Sequence, residues 1–225
     1  RHYNVMPLPP EPLRLNVGTR TTASNFWAQG LSSSTRICDI FGEAPVGPIL
    51  DWGCGCGRTL RWLLGQPAWR ENYRGCDVDS IAVKWLTENT PCEIAVCHDD
   101  PPLPYSDASM AGLFAFSVLT HIPPEKHRTW YAEIRRVLRP GALALLTVQG
   151  SDILKNPARY SVPIKERNEL ESSGRAYVQH EGHYKDAALV NEAFTRSQLE
   201  GILIVEKYEV GGYQNMDQFL VRRGE

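Results

Sequence analysis

Ile49-Leu50-Asp51-Trp52-Gly53-Cys54-Gly55-Cys56-Gly57-Arg58 is the stretch from which the fold can be read. Apolar residues run straight into three glycines at alternate positions, and helix-forming sequence follows. Glycine lets the backbone take positive φ and lets a ligand approach without meeting a Cβ. The N–H groups at the start of the following helix favour a negatively charged ligand group. A nicotinamide-binding turn would need G-x-G-x-x-G, and its third glycine would fall at Arg58, so that reading fails.

Downstream of the turn, helical and strand patterns alternate. Strands are expected at Pro48–Trp52, Tyr73–Asp77, Cys92–Cys97, Leu113–Ser117 and Ala142–Val148. Between them, helices are expected through Leu60, Trp62, Leu63 and Leu64, then over Ser80–Asn89 with Ile81, Val83 and Leu86 inward. A third should cover Pro124–Leu138, with Trp130, Ile134, Val137 and Leu138 on one stripe, stopped by Arg139-Pro140-Gly141. Such alternation means a mostly parallel sheet covered on both faces, a doubly wound Rossmann-like α/β fold. Past it, a helix near Asp186–Phe194 precedes two strands, Gly201–Val210 and Gln214–Arg222, joined by Gly211-Gly212-Tyr213 into an antiparallel hairpin.

Ahead of the glycine turn, a helix is expected from Ser24 to Phe41, and the Pro-rich residues 1–22 should form an extended arm. Residues 151–182 have weak periodicity and one helical candidate, Ile164–Ser172. A loop of that length in a compact domain usually serves function, here as a cover over the substrate. The whole of 1–225 reads as a single domain.

Composition narrows the function. The 225 residues carry a formal net charge of -2 and a pI near 6.3, which argues against a general nucleic-acid binder. No apolar stretch is long enough to span a bilayer, and positions 1–20 lack the core of a secretory signal. The chain opens on Arg1 rather than Met and reads as trimmed. Of the six cysteines, Cys54 and Cys56 form a C-x-C with no second Cys/His pair at zinc spacing, so no metal is expected. The remaining reading is a reduced, cytoplasmic protein.

The second strand ends in Gly75-Cys76-Asp77-Val78-Asp79. A carboxylate at that strand end can accept both hydroxyls of a ribose. Asp77 is the first candidate; Asp79 also fits the N-cap of the next helix.

With Asp77 at this distance, the D-x-G-x-G-x-G run from Asp51 resembles motif I of the class I S-adenosylmethionine (SAM)-dependent methyltransferases. Leu103 to Gly150 is similar to the small-molecule members: Ser117-Val118-Leu119-Thr120-His121-Ile122 resembles their S-V-F-T-H-L, and Glu133 to Gly141 their E-x-R-R-V-L-R-P-G. Pro9 to Arg14 and Gly212-Tyr213-Gln214 also look like that subgroup. Two positions depart from it: Met110-Ala111 replaces F-D, and Ala142 the second glycine after Pro140. Asp100-Pro101-Pro102 is not the D-P-P-Y of amino-group methyltransferases, because it precedes the fourth strand and ends in Leu103.

The resemblance implies SAM as cofactor, held by Asp51, Gly53, Cys54, Gly55 and Gly57 at the turn. It puts Asp77 on the ribose, Val78 against the adenine, Asp99 and Asp100 at the adenine edge, and Ser117 past the fourth strand. Methyl transfer to a small-molecule acceptor in one in-line step is the leading reading. Methylation of protein or RNA, or SAM binding without catalysis, are the alternatives. His121 is the candidate general base, or else packs a helix start and satisfies a backbone carbonyl. His183, Tyr184 and Tyr160 are candidates for the acceptor pocket, with His180 and Tyr177 on the same loop. Arg14 is a candidate for the SAM carboxylate. The acceptor atom and the oligomeric state are not written in the sequence.

Overall fold

The computed structural model describes residues 6–18, 22–179 and 186–225, and the chain divides into two compact units, Arg1–Phe114 and Ala115–Glu225. In the first, α1 (Glu11–Asn16) and α2 (Ala23–Phe41) precede β1 (Ile49–Trp52), α3 (Leu60–Leu63), α4 (Pro67–Asn72), β2 (Tyr73–Asp77), α5 (Ser80–Asn89), β3 (Glu93–Val96) and β4 (Met110–Ala115). The strands lie in the order β3-β2-β1-β4, all parallel, with Asp51 level with Gly75 on one side and Phe114 on the other. Winding reverses between β1 and β4, and open α/β sheets bind ligands outside the strand ends at such a point.

The arm is not simply extended. Pro12 sits in the first turn of α1, where a missing N–H costs nothing, and Glu11 complements the helix dipole. What fixes α1 is Leu13, buried with Phe26, Cys56 and Ala82. The short α4 was not expected; it starts on Pro67 and buries Trp69, whose indole N–H donates to the Gly42 carbonyl. On α5, Val83 and Leu86 are buried as expected, but Ile81 is 69% exposed. Its place in the first turn, just after the N-cap, leaves the inward face to Ala82, Val83 and Leu86.

In the second unit, α6 (His127–Val137) follows a 3₁₀ turn and leads to β5 (Leu138–Gly150), α7 (Ser151–Lys155), α8 (Ile164–Ser173), β6 (Arg175–Val178), β7 (Ala187–Val190), α9 (Glu192–Leu199), β8 (Ile204–Tyr213) and β9 (Met216–Arg222). The expected stripe on α6 is buried throughout, and the Arg223 guanidinium caps its end by donating to the carbonyls of Arg135 and Arg136. β9 runs antiparallel to β5 from Leu143↔Arg222 to Val148↔Asp217, and β8 pairs antiparallel with β9.

Three expectations change here. Residues 186–194 are not one helix: Ala187–Val190 is a strand, parallel to the end of β5 and antiparallel to β6, and α9 begins only at Glu192. Gly150 permits that join, since a Cβ there would lie 1.9 Å from the Val190 carbonyl oxygen. Residues 151–179 are built of two helices and a strand over their own buried cluster of Ile153, Leu170, Ala176 and Val178. The hairpin turns at Gln214-Asn215, both at positive φ (48° and 66°), and Gly211-Gly212 lie inside β8 where its register shifts. Positive φ at both central residues matches the twist of the strands, and asparagine tolerates it.

Candidate cofactor and acceptor sites

β1 ends directly beneath the glycine turn. Gly53, Gly55 and Gly57 all have positive φ (82°, 51° and 76°), which explains glycine at alternate positions. The turn is locked to β2 by the N–H groups of Gly53 and Cys54, both donating to the Cys76 carbonyl at 2.8 and 3.1 Å. The Gly55 N–H donates to Asp77 Oδ2 at 2.7 Å, and the Asp79 N–H to Asp77 Oδ1 at 2.9 Å. Each oxygen of Asp77 thus spends one lone-pair direction on backbone and keeps another for a ligand hydroxyl. Burial pushes the Asp77 carboxyl up, and the N–H groups of Asp79 and Gly55 oppose that shift.

Close approach has a different cause from the one read in the sequence. A Cβ on Gly55 would lie 2.5 Å from Val17 Cγ1, and one on Gly57 would meet Leu86 Cδ2 at 2.7 Å and Met6 Cε at 2.9 Å. The chain's own arm and α5 fill those spaces. The arm is tied down by residues that follow the turn. Arg58 donates to the Val17 carbonyl (2.9 Å) and Gln29 Oε1 (2.6 Å), Arg61 to the Pro7 carbonyl (3.0 Å), and the Cys56 thiol to Leu13 (3.4 Å). Arg61 is 5% exposed, its guanidinium over the rings of Phe26 and Trp27, with Nε and Nη1 unpartnered among the described residues. Desolvation lowers its pKa to about 10. Sequence reading missed Arg58 and Arg61; two guanidiniums within four residues of a buried turn were the available signal. Phe26 packs against Leu13 of the arm, and Arg14 Nε donates to the Pro9 carbonyl.

Asp51 lies below the turn, 4% exposed, accepting from Tyr73 Oη at 2.6 Å. Desolvation raises its pKa to about 7 against the hydrogen bond from Tyr73. It braces β1 against β2. Asp79 caps α5, accepting from the N–H groups of Ile81 and Ala82. Val78 is half-buried, and Asp99 and Asp100 are exposed beyond β3. Burial pushes the Cys54 thiol well up, and the hydrogen bond with Cys97, with burial behind it, does the same for Cys76, which suits buried thiols and not reactive ones.

In the second unit, Ser117 lies beyond β4, not within a strand, at φ +61°. Its N–H donates to Thr147 Oγ1 (2.8 Å), its hydroxyl meets Thr120 Oγ1 (2.9 Å), and Thr120 Oγ1 donates to its carbonyl (2.8 Å). Left-handed backbone at a non-glycine residue costs about 1–3 kcal/mol and persists where surroundings over-determine it. His121 is exposed on the 3₁₀ turn Leu119–His121, with Nδ1 3.0 Å from the Asp186 carbonyl. A carbonyl only accepts, so Nδ1 carries the proton in this contact and Nε2 points elsewhere. The buried histidine at a helix start is His127, donating through Nε2 to the carbonyls of Leu119 and Ile122.

Tyr160 is half-buried, its hydroxyl shared between the Asp152 carboxylate and the Asn215 carbonyl. Tyr177 donates to Asp186 Oδ2 at 2.9 Å. His180, His183 and Tyr184 lie outside the described residues. Among the described residues, no group of three or more His, Cys, Asp or Glu could hold a metal ion, and no helix is long and apolar enough to cross a membrane.

Residues 49–141 match the family described as a methyltransferase domain. Among curated relatives, a 24-methylenesterol C-methyltransferase of Oryza sativa subsp. japonica is 29% identical over 48% of this chain and 30% of its own length. A tRNA N(3)-cytidine methyltransferase of Gallus gallus is 26% identical over 85% of this chain and 57% of its own. The chain thus spans well under two thirds of these relatives. Among solved structures, a SAM-dependent methyltransferase of Methanosarcina mazei superposes with a TM-score of 0.59 at 19% identity, over 79% of this chain and 92% of that one. The 1,6-didemethyltoxoflavin-N1-methyltransferase of Burkholderia thailandensis, solved with acceptor and S-adenosylhomocysteine, gives 0.60 at 15% identity, over 90% and 81%. With the left-handed turn and Asp77 at the end of β2, residues 49–141 match a methyltransferase domain, and the chain shares its α/β architecture with these SAM-dependent methyltransferases.

Proposed function

We propose that this protein transfers the methyl group of SAM to a small-molecule acceptor by direct in-line displacement. One observation carries the reading: the left-handed turn at Gly53, Gly55 and Gly57 aims an N–H at Asp77, whose two oxygens keep acceptor capacity at the carboxyl end of β2. That geometry fits the ribose of SAM, with Val78 beside the adenine and Asp99 and Asp100 at its edge. Bound SAM supplies an electrophilic methyl on a sulfonium, which needs no covalent enzyme intermediate. The chain's own tasks are to bind and orient, and to take a proton where the acceptor is a hydroxyl or an ammonium. His121 suits the last, its Nδ1 proton fixed by the Asp186 carbonyl. Six free cysteines, five of them buried, suit a reducing, cytoplasmic setting.

The test is calorimetry with S-adenosylhomocysteine and with NAD. S-adenosylhomocysteine should bind one site and NAD far more weakly. Asp77→Ala removes charge-assisted hydrogen bonds of about 1.5–3 kcal/mol, a loss of about one to two orders of magnitude in affinity. Unchanged affinity in a variant that still melts cooperatively would take Asp77 out of the site. A second reading, methylation of RNA, is favoured by the tRNA-modifying relative that matches across 85% of the chain. The net charge of -2 supports the small-molecule reading instead.

A further inference from the structure

Within the first unit, residues 6–18 of the arm converge on the residues that hold Asp77. Two backbone groups hold that carboxylate, the N–H of Gly55 and the N–H of Asp79. The arm touches both: Val17 Cγ1 fills the space a Cβ on Gly55 would take, and Asn16 Nδ2 donates to Asp79 Oδ2 at 3.1 Å. Asn16 and Val17 are consecutive, so the end of α1 lies beside the carboxylate. Nothing inside α1 keeps it there. Six residues are too few for a helix to hold itself, and Leu13 is its one buried side chain. The ties come from residues just past the glycine turn. Arg58 Nη1 donates to the Val17 carbonyl and to Gln29 Oε1, which joins the arm to α2. Arg61 Nη2 holds the Pro7 carbonyl at the other end of the arm. Its Nε and Nη1 are buried without a partner among the described residues. Water would satisfy those donors if the Pro7 end lifted, so the closed position is opposed as well as held.

We propose that residues 6–18 are a strap over the turn side of the cofactor site, and that Arg58 is the positioning residue that latches it. The proposal rests on the SAM reading above and adds how the cofactor is retained. A ribose on Asp77 sits against Asn16 and Val17, and it leaves when they move. Arg58 touches no ligand; it acts through the Val17 carbonyl. Both of its bonds run from one nitrogen to neutral oxygens, so a lysine ammonium, with three donors, can replace it. A methionine of similar length cannot. The kinetic signature is specific. Loosening a strap speeds entry and exit together, because entry no longer waits on a conformational change, whereas a lost ligand contact speeds exit alone.

Stopped-flow tryptophan fluorescence on the full chain reads both rates, with S-adenosylhomocysteine as the ligand. Arg58→Met should speed dissociation by about tenfold and association severalfold. Arg58→Lys should return both rates to those of the wild type. A variant that is merely misfolded in part lowers the amplitude and leaves the rates of the folded fraction alone. Asn16→Ala, an exposed change that cuts the tie to Asp79, should also speed both rates. It decides the matter if Arg58→Met does not fold, and wild-type rates in it then overturn the proposal. So do wild-type rates in a folded Arg58→Met, faster dissociation with unchanged association, or an Arg58→Lys as fast as Arg58→Met. Failure of S-adenosylhomocysteine to bind the wild type overturns the cofactor reading and the strap with it; binding with unmoved rates overturns the strap alone.

Discussion

Asp51 and Asp77 stand at the carboxyl ends of adjacent parallel strands, yet depth gives them different work. Both were legible as site candidates, because strand-end carboxylates around a glycine turn are visible in spacing alone. Depth is not: Asp51 is buried against Tyr73, while Asp77 is half-buried and held by the N–H groups of Gly55 and Asp79. The buried group makes stability depend on pH. Its folded pKa, about 7, stands above the ordinary carboxylate value, so the fold prefers the neutral acid. The cost of ionisation is absent below about pH 4, grows as pH rises, and is complete above about pH 7. Asp77 adds to the shift and Arg58 reduces it. Asp51→Asn keeps an oxygen for Tyr73 and removes the titration. The melting temperature of wild type should therefore fall relative to Asp51→Asn between about pH 4 and 7; parallel curves would show that Asp51 ionises freely. His121 belongs to the same scale. General bases contribute about 10²–10⁴-fold, so His121→Ala should cut turnover by that order and leave SAM affinity alone. Turnover within about threefold of wild type would reduce His121 to a strut for Asp186, well short of the usual base contribution.

At the scale of elements, period and punctuation carried the first four parallel strands and the helices over 23–41, 80–89 and 127–137, each within a few residues. They succeeded where an element buries one continuous apolar face, as α6 does through Trp130, Ile134 and Val137. They failed where tertiary pairing chose the state. Ala187-Ala188-Leu189-Val190 is short enough to read either way, and the end of β5, bare of a Cβ at Gly150, makes it a strand. Likewise α1 is six residues, too short to hold itself, and exists because Leu13 finds Phe26 and Cys56. The segment after β5 looked structureless because its amphipathicity is weak: α8 buries only Leu170. Its order comes instead from a polar knot around Asp152, which gathers Asn156, Arg159 and Tyr160. Hydrogen bonds of that kind leave no period in a sequence.

For the whole molecule, the family was legible and the acceptor class was not, because the motifs that specify SAM recur whatever is methylated. Charge separates the two classes. With 24 Lys and Arg against 26 Asp and Glu, the chain has no basic excess to spend on a phosphate backbone. A protein that engages RNA through six to ten phosphates loses about 10³–10⁵ in affinity between 50 and 200 mM salt. Fluorescence anisotropy with labelled tRNA, at both salt concentrations and with S-adenosylhomocysteine present, therefore distinguishes them. The small-molecule reading expects no saturable binding at 50 mM salt and no methyl transfer from labelled SAM into tRNA. Saturable binding that collapses at 200 mM would instead mean that a local basic patch overrides the overall balance. With transfer into cytidine as well, the small-molecule reading would give way to the RNA-modifying one, since a base methylated at its pairing edge must first be drawn out of its stack.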